Sequence, residues 1–155
     1  MAATAGPHHL ATVTADLDRL IRFYEQVFDA QVRWDLSEEG LRHAFIDLGG
    51  GFALHPFEIP GLDVPQGELP IFKRGRIDHL ALRAETVEVF WAVRERIHDG
   101  GAGNGQVTDL GPLLSVGFVD PDGLEGEVCW DRPAHEHRGA GEAAGWKYIP
   151  YPERI

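Results

Sequence analysis

Apolar residues along this chain follow two spacings, a helical one and an alternating one, and the order in which they occur is repeated. Setting His9-Leu10-Ala11 over His79-Leu80-Ala81 places Leu17, Leu20, Ile21 and Val27 on Val87, Phe90, Trp91 and Ile97. Each set falls at i, i+3, i+4 and i+10, a single apolar stripe on a helix of about three turns. Asp16 is the expected N-cap of the first helix, which runs through Phe28. The second begins near Thr86 and stops at Asp99-Gly100-Gly101, where glycine accommodates a left-handed turn. Three strand-like runs follow the first helix, Gln31–Leu36, Arg42–Leu48 and Phe52–Phe57, with Gly49-Gly50-Gly51 as a hairpin between the last two. Val107–Leu110, Leu113–Val119 and Glu125–Trp130 follow the second, and Asp120-Pro121-Asp122-Gly123 supplies a turn.

The pattern predicts an α+β fold of two β-α-β-β-β modules. The domain covers residues 7–131, as modules 7–58 and 77–131 joined by a linker, 59–76, that carries Pro60, Pro65 and Pro70. Residues 132–155 read as a tail. Its Trp146, Tyr148, Ile149 and Tyr151 are too apolar to be left in water together, so it is expected to cover part of the cleft or a partner chain.

Composition narrows the function classes. With 14 Lys and Arg against 25 Asp and Glu, the net charge of −11 disfavours nucleic acid, whose phosphates require a basic face. No apolar run approaches a membrane span, and the start of the chain lacks the basic and apolar regions of a signal peptide; a cytoplasmic protein is expected. The single cysteine, Cys129, excludes an internal disulfide and a Cys-rich zinc site.

Four residues emerge from the repeat as candidates for chemistry. His9 and His79 open the first strand of each module, and His55 and Glu127 occupy equivalent places in the last strands. If the modules pair about a pseudo-twofold, these positions converge. Two imidazoles and a carboxylate on rigid strands can hold Fe(II), Mn(II), Ni(II) or Zn(II) while leaving coordination positions for substrate. Singly, each is more often a core or surface residue, and the shared offset is what favours a site. Cys129 shares the strand face of Glu127 and is expected near the pocket without being a nucleophile, since no base stands at a fixed spacing from it. Arg83 could meet a substrate carboxylate, although a solvated strand end is the ordinary reading. His135 and His137 read as a loose surface cluster, and alternation directs His8 away from His9.

The segments His9-Leu-Ala-Thr-Val-Thr-Ala-Asp16, Phe23-Tyr24, Ile77-Asp78-His79-Leu80-Ala81-Leu82 and Asp120-Pro-Asp-Gly-Leu-Glu-Gly-Glu127 together resemble the vicinal oxygen chelate superfamily. That superfamily groups glyoxalase I, extradiol dioxygenases, fosfomycin resistance enzymes, methylmalonyl-CoA epimerase and bleomycin-binding proteins. The resemblance implies that the two modules form a curved mixed sheet around a metal cleft, with metal ligands at His9, His79 and Glu127. It places His55 where glyoxalase I has a glutamate, a departure that counts against that activity and leaves His55 as a base, a fourth ligand or a pocket-lining residue. It also implies a small-molecule substrate chelated through two vicinal oxygens and a homodimer, in some members with sites shared between chains. The slight preference is for extradiol-type oxygenation over lyase or isomerase chemistry. The alternative is a metal-free protein that sequesters an aromatic compound, with Trp34, Trp91, Trp130 and Trp146 as candidate stacking groups. Bleomycin-binding relatives lack the ligand residues present here.

Overall fold

The computed structural model describes residues 4, 6–63, 77–137 and 146–155, so most of the expected linker lies outside the described residues. The chain divides into two compact units, Met1–Gln66 and Gly67–Ile155.

Unit 1 runs β1 (His9–Thr14), α1 (Leu17–Phe28), β2 (Gln31–Glu38), β3 (Leu41–Asp47) and β4 (Ala53–Glu58). Its four strands lie in the order β1-β4-β3-β2. β1 is parallel to β4, and the other two pairings are antiparallel. Asp16 caps α1 by accepting a hydrogen bond from the Arg19 amide at 2.9 Å. Leu17, Leu20, Tyr24 and Val27 form the buried stripe, each worth roughly 1.5–3 kcal/mol when removed from water. Tyr24 takes a place that the aligned stripe left out, and Ile21 is only half-buried. The turn from β2 to β3 places Glu39 and Gly40 at positive φ, the geometry that continues the right-handed strand twist.

Unit 2 repeats the plan with β5 (Leu80–Arg83), α2 (Val87–Asp99), β6 (Val107–Asp109), β7 (Leu113–Val119) and β8 (Glu125–Asp131). The strand order is β5-β8-β7-β6-β9, where β9 is Lys147–Ile149 from the expected tail. Hydrogen bonding thus places the strands in two sheets, one for each module. Thr86 caps α2, and the left-handed residue after this helix is Gly101, whereas Gly100 remains right-handed. Asp120 closes the β7–β8 turn by accepting from the amides of Asp122 and Leu124 at 2.9 and 2.8 Å. On β8, Gly126 leaves room for Phe118: a Cβ there would stand 2.3 Å from the ring.

β9 is a correction to the tail. It pairs antiparallel with β6, Ile149 opposite Val107, and buries Ile149 while leaving Trp146 and Tyr148 exposed. Only part of the apolar surface expected to need cover receives it, because a strand added at a sheet edge turns alternate side chains outward. Arg94 of α2, 1% exposed, holds this segment through the carbonyls of Gly105, Ile149 and Glu153. Tyr151 stacks on His98 at 3.7 Å. Arg132, at the start of the tail, is buried in a two-pronged pair with Asp109, at 2.7 and 3.2 Å. No helix among the described residues is long and apolar enough to cross a membrane.

Candidate functional site

In each unit the helix packs against one face of the sheet, α1 on β3 and β4 and α2 on β8. The chemistry-bearing residues alternate onto the other face. The strand registers make the internal repeat explicit. In unit 1, β1 sets Ala11 against His55; in unit 2, β5 sets Ala81 against Glu127. His9 and His79 each precede the matched alanine by two residues, so each histidine stands diagonally across a parallel pair from its counterpart, His55 or Glu127. The two units thus repeat one placement, a histidine with an imidazole in unit 1 and a histidine with a carboxylate in unit 2.

In unit 2, His79 Nε2 lies 3.4 Å from Glu127 Oε1. The other ring nitrogen of His79, Nδ1, is 2.9 Å from the Asp78 carboxylate. Each ring nitrogen of His79 thus faces a carboxylate, Nδ1 that of Asp78 and Nε2 that of Glu127, and these contacts orient the ring. Ser115 donates to the second oxygen of Glu127 at 2.5 Å. An imidazole nitrogen and a carboxylate oxygen therefore face each other while their outer atoms are held by neighbours. This donor set suits a divalent cation of intermediate hardness. Within either unit, among the described residues, no group of three or more His, Cys, Asp or Glu side chains is gathered to hold a metal unaided.

Cys129 is half-buried beside Glu127 and opposite Ser115. Burial above all, with the charge of Glu127 added, pushes its thiol up to about 12. Its thiol is therefore protonated near pH 7. Arg83 is committed to Asp131 at 3.0 Å on an exposed edge, its side chain 79% accessible.

Unit 1 surrounds its histidines with rings. The ring of His55 lies 5.5 Å from that of His9, 4.4 Å from Phe57, 5.1 Å from Trp34 and 5.8 Å from Phe45. Burial, followed by the neighbouring charges of His43 and His9, lowers the His55 pKa and keeps its imidazole neutral near pH 7. His43 Nδ1 meets His55 Nε2 at 2.9 Å. Pro56, which follows His55, has no amide hydrogen to give to a neighbouring strand. His8 does not point away from His9: their Nδ1 atoms are 2.8 Å apart. It precedes the first residue of β1, so strand alternation does not bind it.

Asp78, Ser115, His43, Phe45 and Phe57 were missed as site residues. The signal for the last three was the period of two, since His43 and Phe45 alternate on β3 as His55 and Phe57 do on β4. Ser115 is visible only through the β7–β8 register, which brings it opposite Cys129. The remaining candidates fall away from these clusters. Trp91 is core beneath Arg94, and Trp130 is half-buried at the end of β8. His135 is exposed beside Glu136, and His137 meets the Arg132 carbonyl.

The model of the Glyoxalase/Bleomycin resistance protein/Dioxygenase superfamily matches residues 6–128. The metallothiol transferase FosB of Bacillus licheniformis is 30% identical over 126 residues, covering 79% of this chain and 73% of the relative. A glyoxylase/bleomycin resistance protein/dioxygenase domain from Frankia sp. EAN1pec superimposes with a TM-score of 0.68 at 23% identity, over 84% of this chain and 100% of that one. The fosfomycin resistance protein FosX of Listeria monocytogenes, in complex with Mn(II) and sulfate, superimposes at 0.60 and 20% identity, over 86% of this chain and 97% of that one.

Proposed function

The chain belongs to the glyoxalase, bleomycin resistance protein and dioxygenase superfamily, and on that premise we propose that it is a metal-dependent enzyme acting on a small substrate through two vicinal oxygens. The observation that carries this reading is the matched placement of His9 with His55 and of His79 with Glu127 in the two strand registers. His9, His79 and Glu127 are the proposed ligands of one divalent cation, completed within one chain or across a homodimer. The metal, when bound, supplies Lewis acidity to a chelated pair of substrate oxygens. Glu127 contributes the negative charge that balances the cation, and Asp78 and Ser115 hold the two unit 2 ligands in orientation.

His55 is proposed as the base that takes a proton from the substrate, a task for which an imidazole kept neutral near pH 7 is suited. Two features favour extradiol-type oxygenation of an aromatic diol over glyoxalase-like lyase or isomerase chemistry. An imidazole replaces the carboxylate at position 55, and Trp34, Phe45 and Phe57 offer ring faces beside it. A second reading, thiol transfer to a phosphonate, draws the thiol transfer from the likeness to the metallothiol transferase FosB and the phosphonate from the likeness to the fosfomycin resistance protein FosX. Against it, Arg83 is already paired with Asp131, and Arg42 with both Asp35 and Asp18. A phosphonate dianion would compete with those carboxylates for its cations.

The test uses protein purified without chelator. Elemental analysis should find about one divalent metal per complete site. Glu127→Gln, which keeps size and removes charge, should lose metal and turnover together. Turnover is screened with catechols, 2-oxo-aldehyde thiol adducts, and fosfomycin with a thiol, each with Fe(II), Mn(II), Ni(II) and Zn(II). Ring cleavage with Fe(II) supports the leading reading, and thiol transfer to fosfomycin the second. Tight binding of an aromatic compound without metal or product, unchanged in Glu127→Gln, would overturn both in favour of sequestration.

A further inference from the structure

We propose that His43 is a positioning residue for His55, holding its ring with the proton on Nε2 and leaving Nδ1 as the nitrogen that carries the lone pair. The proposal rests on the reading of His55 as a base and extends it to the atom. His43 Nδ1 and His55 Nε2 are 2.9 Å apart, and two neutral imidazoles at that separation must share one proton between the facing nitrogens. Which ring supplies it is decided at the far side of His43. Its Nε2 lies 3.7 Å from a carboxylate oxygen of Glu38, and a negative charge there favours a proton on that nitrogen. A neutral His43 protonated on Nε2 has a bare Nδ1, so the facing hydrogen bond is donated by His55 Nε2. Nδ1 of His55 then carries the lone pair. Among the described residues the His55 ring makes no second hydrogen bond, so nothing competes for that lone pair.

His43 is held firmly enough for this work. Its ring stacks on Phe57 at 5.2 Å with the planes 2° from parallel, and meets Trp34 edge-on at 5.1 Å. Its side chain is 13% exposed. Packing therefore sets the ring of His43, and one hydrogen bond passes that orientation to His55. A base that must reach one substrate atom gains from having a single ring orientation rather than two flipped ones.

The experiment reads the ring nitrogens of uniformly 15N-labelled protein by NMR, with His55 assigned by its disappearance in His55→Gln. The expected result is a protonated Nε2 and bare Nδ1 on His55, a bare Nδ1 on His43, and a 15N–15N coupling between the facing nitrogens. His43→Phe keeps the stack on Phe57 and removes the acceptor; the His55 Nε2 proton should vanish by exchange with water. His43→Asn places an amide oxygen near the lost Nδ1 and should restore it. On the substrate found by the screen, His43→Phe should lose about tenfold in kcat with little change in KM, as for other outer-sphere orienting groups, and His43→Asn should recover much of it. A proton on His43 Nδ1 in the wild type, or an unaltered His55 ring signal in a folded His43→Phe, would overturn the proposal. Failure of the parent reading shows separately, as undiminished turnover in His55→Gln, and then His43 orients no base.

Discussion

At Cys129 the thiol and the Glu127 carboxylate share one strand face, and the consequence is a cysteine of very low reactivity beside a proposed metal centre. Burial and the adjacent charge hold its pKa near 12, from a reference value of 9.0. Three pH units of displacement reduce the thiolate fraction at pH 8 about a thousandfold, and thiolate is the alkylated species. Iodoacetamide at pH 8 should therefore label Cys129 far more slowly than an unfolded control, as followed by intact mass. Glu127→Gln removes the adjacent charge and should speed labelling while leaving it well below the unfolded rate, because burial is the largest cause. Labelling of native protein at the unfolded rate would show that the side chain is not enclosed between Ser115 and Glu127. The same arrangement keeps a soft sulfur ligand in its neutral form, so the oxygen of Glu127 is the donor that strand face offers.

The two helices show how far local sequence reaches and where it stops. Asp16 and Thr86 were legible as caps because capping is settled within three residues of chain, and the apolar stripes because a helix repeats its own face. Strand runs were legible to within a residue or two, and the equivalence of His9 with His79 and of His55 with Glu127 was visible from spacing. The strand β9 was not, since Lys147–Ile149 is too short for a periodic signal and becomes a strand only because β6 offers it an edge. Nor was the role of Arg94, which stands on the stripe of α2 at the place Tyr24 takes in α1, where a charge breaks the apolar pattern. In the fold it makes three hydrogen bonds to carbonyls distant in sequence, with its guanidinium over the rings of Trp91 and Tyr151. His43 escaped for the same reason, because its partner across the sheet is a matter of register. Arg94→Met keeps much of the apolar stem and deletes the donors, leaving three carbonyls to find water. We expect a loss of about 2–4 kcal/mol in urea unfolding and faster amide exchange at 147–149. An unchanged midpoint would show that Tyr151 and Ile149 hold the segment without it.

On the scale of the whole molecule, one plan serves twice. Each unit builds a sheet from its own chain segment, and the matched registers differ in the group they carry: a carboxylate at 127 where 55 is imidazole. The second unit differs in one further respect, the strand added at the border of its sheet. A strand border is a row of unpaired amides and carbonyls, a template for any other extended chain it meets. In unit 1 the border strand β2 bears Arg33, Asp35, Ser37 and Glu38 and is broken by a bulge between Val32 and Trp34, features that discourage a stranger from pairing. β6 is Val-Thr-Asp, short and only lightly charged, and β9 occupies its border with three residues that end at Pro150. Removing residues 146–155 should therefore do more than lower the melting temperature. The shortened protein should self-associate with concentration and develop thioflavin fluorescence on gentle warming, while a Thr108→Lys substitution in the same shortened chain suppresses both. The last ten residues would then be a device of solubility, by which the protein satisfies its own most adhesive border before another molecule can.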